Sequence, residues 1–117
     1  MKEEFIRTAL LLGEENVENL AKDSLNTLKN SKVIVFGIGG VGGFVVEALA
    51  RCGIGNLDLI DNDVVAKSNL NRQIVALNST LGKLKVEVMK ERVLDINPSC
   101  NVKVYKCFYL PENKSKF

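Results

Sequence analysis

The stretch Gly37-Ile-Gly-Gly-Val-Gly-Gly43 holds five of the nine glycines in this 117-residue chain. It follows Lys32–Phe36, a β-branched run of the kind that forms a buried parallel strand. It leads into a segment of helical period, in which Val41, Val45, Ala48, Leu49 and Cys52 share one face and Gly53 stands ready as the cap. A strand that passes through a bare loop into a helix is a narrow choice of geometry. Gly37, Gly39 and Gly42 have the spacing G-x-G-x-x-G in the context that lifts this motif above chance. In that pattern the first glycine permits a tight turn. The second lets a phosphate approach the backbone, and the third lets the helix pack on the strand. The free N–H groups at the helix start carry roughly half a positive charge, which suits an anion.

The rest of the chain extends this unit. Gly55-Asn56 turns into a short strand, Leu57–Ile60, that ends at Asp61. Residues 64–79 are polar and asparagine-rich, and read as a loop with one helical turn. Ser79 or Thr80 can cap a helix through Ile96, with Val86, Met89, Val93 and Ile96 inward, stopped by Asn97-Pro98. Val102–Phe108 alternates as a third strand. Upstream, Val17, Leu20, Leu25 and Leu28 lie near helical spacing over residues 14–29. The sequence therefore predicts an α/β chain: an N-terminal helical segment (1–31), a Rossmann-like βαβαβ mononucleotide-binding half (32–108) and a polar tail (109–117). Right-handed crossovers make the strands parallel, in the order 3-2-1. All of it reads as a single nucleotide-binding domain.

Composition narrows the function. At 46% hydrophobic and 26% charged the chain can build a core, and a net charge of +2 is too small to argue for nucleic acid by itself. No apolar run approaches the roughly 18 residues of a membrane span, and the N-terminus lacks a signal-peptide pattern. Cys52, Cys100 and Cys107 show no C-x-x-C spacing, which argues against a structural zinc or a disulfide framework and for a cytoplasmic location. Cys52, on the apolar helical face, is expected to be buried. There is no histidine, so chemistry here runs without the usual near-neutral acid–base group.

Asp61 stands 19 positions after Gly42, where a strand-end carboxylate accepts hydrogen bonds from ribose; Asp63 is a second candidate. To this point NAD, FAD and ATP fit equally. The stretch "AKSNLNRQ", residues 66–73, separates them. A dinucleotide enzyme has no need of an arginine just past the ribose acid. An enzyme that splits ATP between its α- and β-phosphates needs cations there, because charge develops on the leaving pyrophosphate. Arg72 offers a planar fork for phosphate oxygens. Lys85 could reach the same phosphates, although Lys83, Lys85 and Lys90 with Glu87 and Glu91 could equally form a solvated helix face. Spacing alone does not separate Lys83 from Lys85.

The segments "GIGGVGG", "EALARCGIGNLDLIDNDVV", "SNLNRQ", "GKLKVE" and "INP" together resemble the ATP-dependent adenylating superfamily of ThiF, MoeB, HesA and the ubiquitin-activating enzymes. Within it, the N-terminal "RTALLLGEE" and the context of the other segments resemble the tRNA threonylcarbamoyladenosine dehydratase family. The resemblance implies a Rossmann-like mixed sheet, usually in a homodimer, that binds ATP with Mg2+. It implies Gly40 against the phosphates, Asp61 on the ribose, and Ser68–Arg72 around the nucleotide, with Asn69, Arg72 and Lys85 toward the phosphates. Arg7 corresponds to an arginine that reaches the other subunit's site. The implied reaction is attack of a carboxylate on the α-phosphate to give an acyl-adenylate and pyrophosphate; the carboxylate belongs to a tRNA-borne threonylcarbamoyl group that then cyclises. A sulfur-carrier or cysteine-desulfurase-type partner is a further implication. Members are roughly twice as long and carry an acidic Mg2+/ATP residue beyond the stretch matched here, so the chain is expected to represent the N-terminal half of the pattern. The competing readings are a non-catalytic nucleotide-binding or dimerisation module and, on the glycine motif alone, an NAD-dependent oxidoreductase.

Overall fold

The computed structural model describes residues 20–107. Its elements are α1 (Leu20–Asn30), β1 (Lys32–Phe36), α2 (Val41–Cys52), β2 (Asn56–Ile60), α3 (Lys85–Ile96) and β3 (Asn101–Tyr105). Single 3-10 turns lie at Lys67–Asn69 and Asn78–Thr80. The strands form one parallel sheet in the order β1-β2-β3, with Val35 opposite Leu59 and Leu59 opposite Val104. This is the expected α/β topology, read from its other edge. The expected first helix is present over its described part; residues 14–19, the tail 109–117 and Arg7 lie outside the described residues.

Strand alternation explains where the core lies. Val35, Leu57, Leu59 and Val102 belong to one buried cluster with Val46 and Ala50 of α2 and Val86, Met89 and Val93 of α3. Each of the larger apolar side chains buried there stabilises the fold by roughly 1.5–3 kcal/mol relative to exposure. The inward set foreseen for α3 is thus observed, with Ile96 partly buried against it. In the central strand Asp58 is buried and paired with Lys32 at 3.0 Å, which keeps its charge from being stranded.

Three local expectations are corrected. The inward face of α2 is Gly43, Val46 and Ala50, not the face of Val41, Val45, Ala48 and Cys52. Gly43 takes the inward position at the helix start because nothing larger fits there: a Cβ on it would lie 2.7 Å from the Ile38 carbonyl oxygen and from Ile74 Cγ2, and the helical period then turns Val46 and Ala50 inward. Val41, Phe44, Val45 and Cys52 consequently face outward. Second, α3 begins at Lys85 rather than after Ser79 or Thr80. The Thr80 hydroxyl accepts from Leu77 N–H (2.9 Å) and donates to the Val75 carbonyl (2.7 Å), which closes a separate turn. Gly82, at φ 81°, then reverses the chain so that Leu84 pairs with Val64 before the helix starts. Third, β3 ends at Tyr105 and leaves Lys106 and Cys107 beyond the strand.

The cysteines test this packing. Burial pushes the Cys100 thiol up from its ordinary range by desolvation. As pH rises through the thiol range the unfolded chain ionises first, so this group's contribution to stability is present at neutral pH and lost in alkali. At pH 8 a thiol reagent is expected to label exposed Cys52 rapidly and Cys100 only on unfolding, as peptide mass mapping would show; equal labelling of both would contradict the packing.

Candidate functional site

The carboxyl ends of the three strands converge on a cleft of about 210 Å³, lined by Phe36 and Gly37 at the end of β1, Ile60 to Asp63 at the end of β2, and Cys107 after β3. Ligands of open α/β sheets bind at this end. The glycine loop forms one wall. Gly37 (φ 90°) and Gly40 (φ 56°) adopt left-handed backbone that a side chain would strain, and the space beside each Cα is open. Gly40 is also the N-cap of α2 and has no side-chain cap, and no acid lies in the first helical turn. The helix start therefore presents backbone donors and a positive dipole end to whatever approaches Gly40.

Gly39 differs from the motif's usual reading. A Cβ there would lie 2.8–2.9 Å from the Gln73 carboxamide, so its bareness admits Gln73 from within the protein. The open approach to the backbone is at Gly40. Gln73 belongs to the quoted stretch "AKSNLNRQ", but its type and spacing carry no signal; only the fold brings it to the loop.

Asp61 organises the loop before any ligand arrives. Its Oδ2 accepts from Ile38 N–H at 2.7 Å and its Oδ1 from Asp63 N–H at 2.8 Å. Each oxygen keeps a further lone pair for another donor. Asn69 is buried and folds its own segment, with Oδ1 accepting from Ala66 N–H at 2.9 Å. Exposed Arg72 lies along that segment: its Nη1 donates to the Ser68 carbonyl (2.9 Å) and to Asn71 Oδ1 (3.0 Å). Ser68 is exposed as well. The fold thus joins Asp61, Asp63 and the loop, while the Arg72 guanidinium stays on its own segment.

Lys85 has the least ordinary setting. It is the first residue of α3, its side chain is 7% exposed, and its ion pair is with Asp63 at 3.9 Å. An ammonium at a helix N-terminus opposes the dipole, and burial adds a desolvation cost. Lys83, two residues away, is exposed. Tertiary structure therefore separates two lysines that spacing could not, and removes the solvated-face reading of Lys85. Among the described residues no group of three or more His, Cys, Asp or Glu could hold a metal ion, and no helix is long and apolar enough to cross a membrane.

Comparison with known proteins bears on the family and the fold. The sequence pattern described as "ThiF family" matches residues 13–117. A tRNA threonylcarbamoyladenosine dehydratase of Bacillus subtilis is 48% identical over 117 residues, which is all of this chain and 43% of the relative. One from Haemophilus influenzae is 55% identical over 95 residues, 81% of this chain and 36% of the relative. The crystal structure of the Escherichia coli enzyme in complex with ATP superposes with a TM-score of 0.86 at 42% identity, over 97% of this chain and 43% of that one. The chain thus spans less than half the length of these relatives.

The buried cation yields a stability test. Asp63 is 63% exposed, so removing its partner leaves water to solvate it. Lys85→Met is expected to leave the thermal midpoint unchanged or to stabilise the chain by about 1 kcal/mol, since a desolvated charge is lost and an apolar stem of similar length kept. A marked fall of the midpoint in calorimetry would show that the ammonium supports the fold.

Proposed function

The chain belongs to the ThiF family, and we propose that residues 20–107 form the ATP-binding part of an adenylating enzyme of the tRNA threonylcarbamoyladenosine dehydratase type. The carrying observation is Lys85: a buried ammonium, set against a helix dipole and beside a solvated acid, is an anion site waiting for its anion. In this reading the polyphosphate lies over Gly40 and the start of α2 and extends toward Lys85. Asp61 accepts the ribose hydroxyls with the lone pairs that its two backbone donors leave free. Ser68 and Asn69 shape the surrounding segment. Arg72 turns from the Ser68 carbonyl to the phosphates, a change of rotamer for an exposed side chain. Gly37, Gly39 and Gly42 act through the backbone path they allow.

The chemistry follows from those placements. A substrate carboxylate attacks the α-phosphate, the bond to the β-phosphate breaks, and an acyl-adenylate and pyrophosphate result. Arg72 and Lys85 stabilise the charge that develops on the departing pyrophosphate, and the loop holds the phosphates in line. None of this calls for a histidine. Magnesium would enter on the nucleotide's own phosphates. By the same family reading the carboxylate is tRNA-borne, the intact enzyme is a cytoplasmic homodimer in which Arg7 reaches the partner's site, and a sulfur-carrier or cysteine-desulfurase-type protein is a further partner. Residues 1–117 form one nucleotide-binding domain in this account.

Titration calorimetry of the chain with ATP and magnesium, with NADH as the control, tests the proposal. ATP is expected to bind and NADH not. Lys85→Met and Arg72→Ala should each weaken ATP about tenfold or more, the loss of one charged hydrogen bond. Binding of NADH, or ATP binding indifferent to Lys85, would sink the reading.

A further inference from the structure

Gln73 holds a position that the glycine motif does not explain. Its carboxamide lies across Gly39, where a Cβ would meet Nε2, Oε1 and Cδ within 2.9 Å. Ile74 does the same at the start of α2, with Cγ2 2.7 Å from a Cβ placed on Gly43. Residues 73 and 74 therefore dock as a pair on the glycine-rich turn. The Gln73 backbone is fixed as well: its N–H donates to the Asn69 carbonyl (2.9 Å), and its own carbonyl accepts from Ala76 N–H (3.0 Å). The carboxamide differs: its Oε1 is buried without a hydrogen bond. An unsatisfied buried acceptor is a cost that a core glutamine would not normally carry, and it marks the oxygen as the inward edge of the amide.

A carboxamide offers two donors on nitrogen and acceptors on oxygen. With the oxygen turned into the protein, the nitrogen is the edge left for a ligand. An anion on the glycine loop can only accept. The matching group is thus an N–H, and a neutral amide suits that place where a carboxylate would repel. We propose that Gln73 is a further ligand-binding residue of this site: seated on Gly39, its Nε2 donates to a phosphate oxygen of the nucleotide held by the glycine loop. The inference rests on the nucleotide reading above and adds a residue to it. It also gives Gly39 its reason: a side chain there would displace the amide.

Two near-isosteric variants of the full chain test this, Gln73→Met and Gln73→Glu, each measured for ATP affinity by calorimetry and for thermal midpoint without ligand. Gln73→Met retains the length but loses the donor and the unsatisfied acceptor. It is expected to bind ATP about tenfold more weakly while its midpoint holds or rises. Gln73→Glu should bind more weakly still, since it sets a negative charge beside the phosphates. A role in packing alone predicts otherwise, with affinity and midpoint falling together; that result would overturn the proposal. So would a Gln73→Met chain that binds ATP as the parent does. If the parent chain takes up no ATP, the nucleotide reading itself fails and the assignment of Gln73 with it. That outcome is distinct from failure of the Gln73 step alone, in which the parent binds and Lys85→Met still weakens binding.

Discussion

The close approach of α2 to the loop that follows β1 is the constraint on which the rest of this fold depends. Gly42 brings the helix so near the Gly37 carbonyl that no side chain fits between them. The helix start is therefore pressed onto the end of the sheet with its backbone donors uncapped. An extra methyl group here would push the helix outward and move the Gly43–Val46–Ala50 face off the strands. Overpacking of this kind typically costs about 1–3 kcal/mol. The geometry that leaves the helix terminus uncapped is thus also the geometry that builds the core.

Charge is arranged around that fixed point. Asp61 takes the Ile38 and Asp63 N–H groups and so ties the end of β2 to the glycine loop. The Asp63 carbonyl accepts from Lys85 N–H at 3.1 Å, which starts α3 beside the same strand end. Backbone hydrogen bonds thus bring Lys85 to the site, and the ammonium is carried along into a setting it would not otherwise occupy. Active sites commonly hold groups at some cost to stability. Lys85 and the Gln73 carboxamide both fit that pattern, one as a cation opposed to its helix dipole and the other as an acceptor without a donor.

Much of this was legible from residue order. The β-branched run before the glycines, the change to helical period after them and the Asp at the end of the second strand require little context. Local sterics and period determine them. The parallel order followed from chirality. Periodicity ranks the faces of α2 by hydrophobicity, whereas the close approach at Gly43 fixes the helix rotation, which turns Val46 and Ala50 inward and Phe44 outward. Cys52 followed that misplaced face. The start of α3 was misjudged because Thr80 is a sound cap by type, yet its hydroxyl closes a separate turn.

What the sequence determined by itself was the presence of a phosphate-type loop, its strand and helix, the acid that follows and the family to which the pattern belongs, because these rest on neighbours along the chain. Tertiary structure alone decided which lysine is buried, which glycine stays open to a ligand and which faces Gln73. Lys83 and Lys85 are equivalent as letters; the Val64–Leu84 pairing and the Asp63 carbonyl distinguish them. Gly39 and Gly40 are adjacent and chemically identical, yet one is filled by a side chain from 34 positions further along and the other faces open space. Burial and long-range contact are properties of the folded chain, and the chemistry of a charged or polar group depends on them more than on its identity.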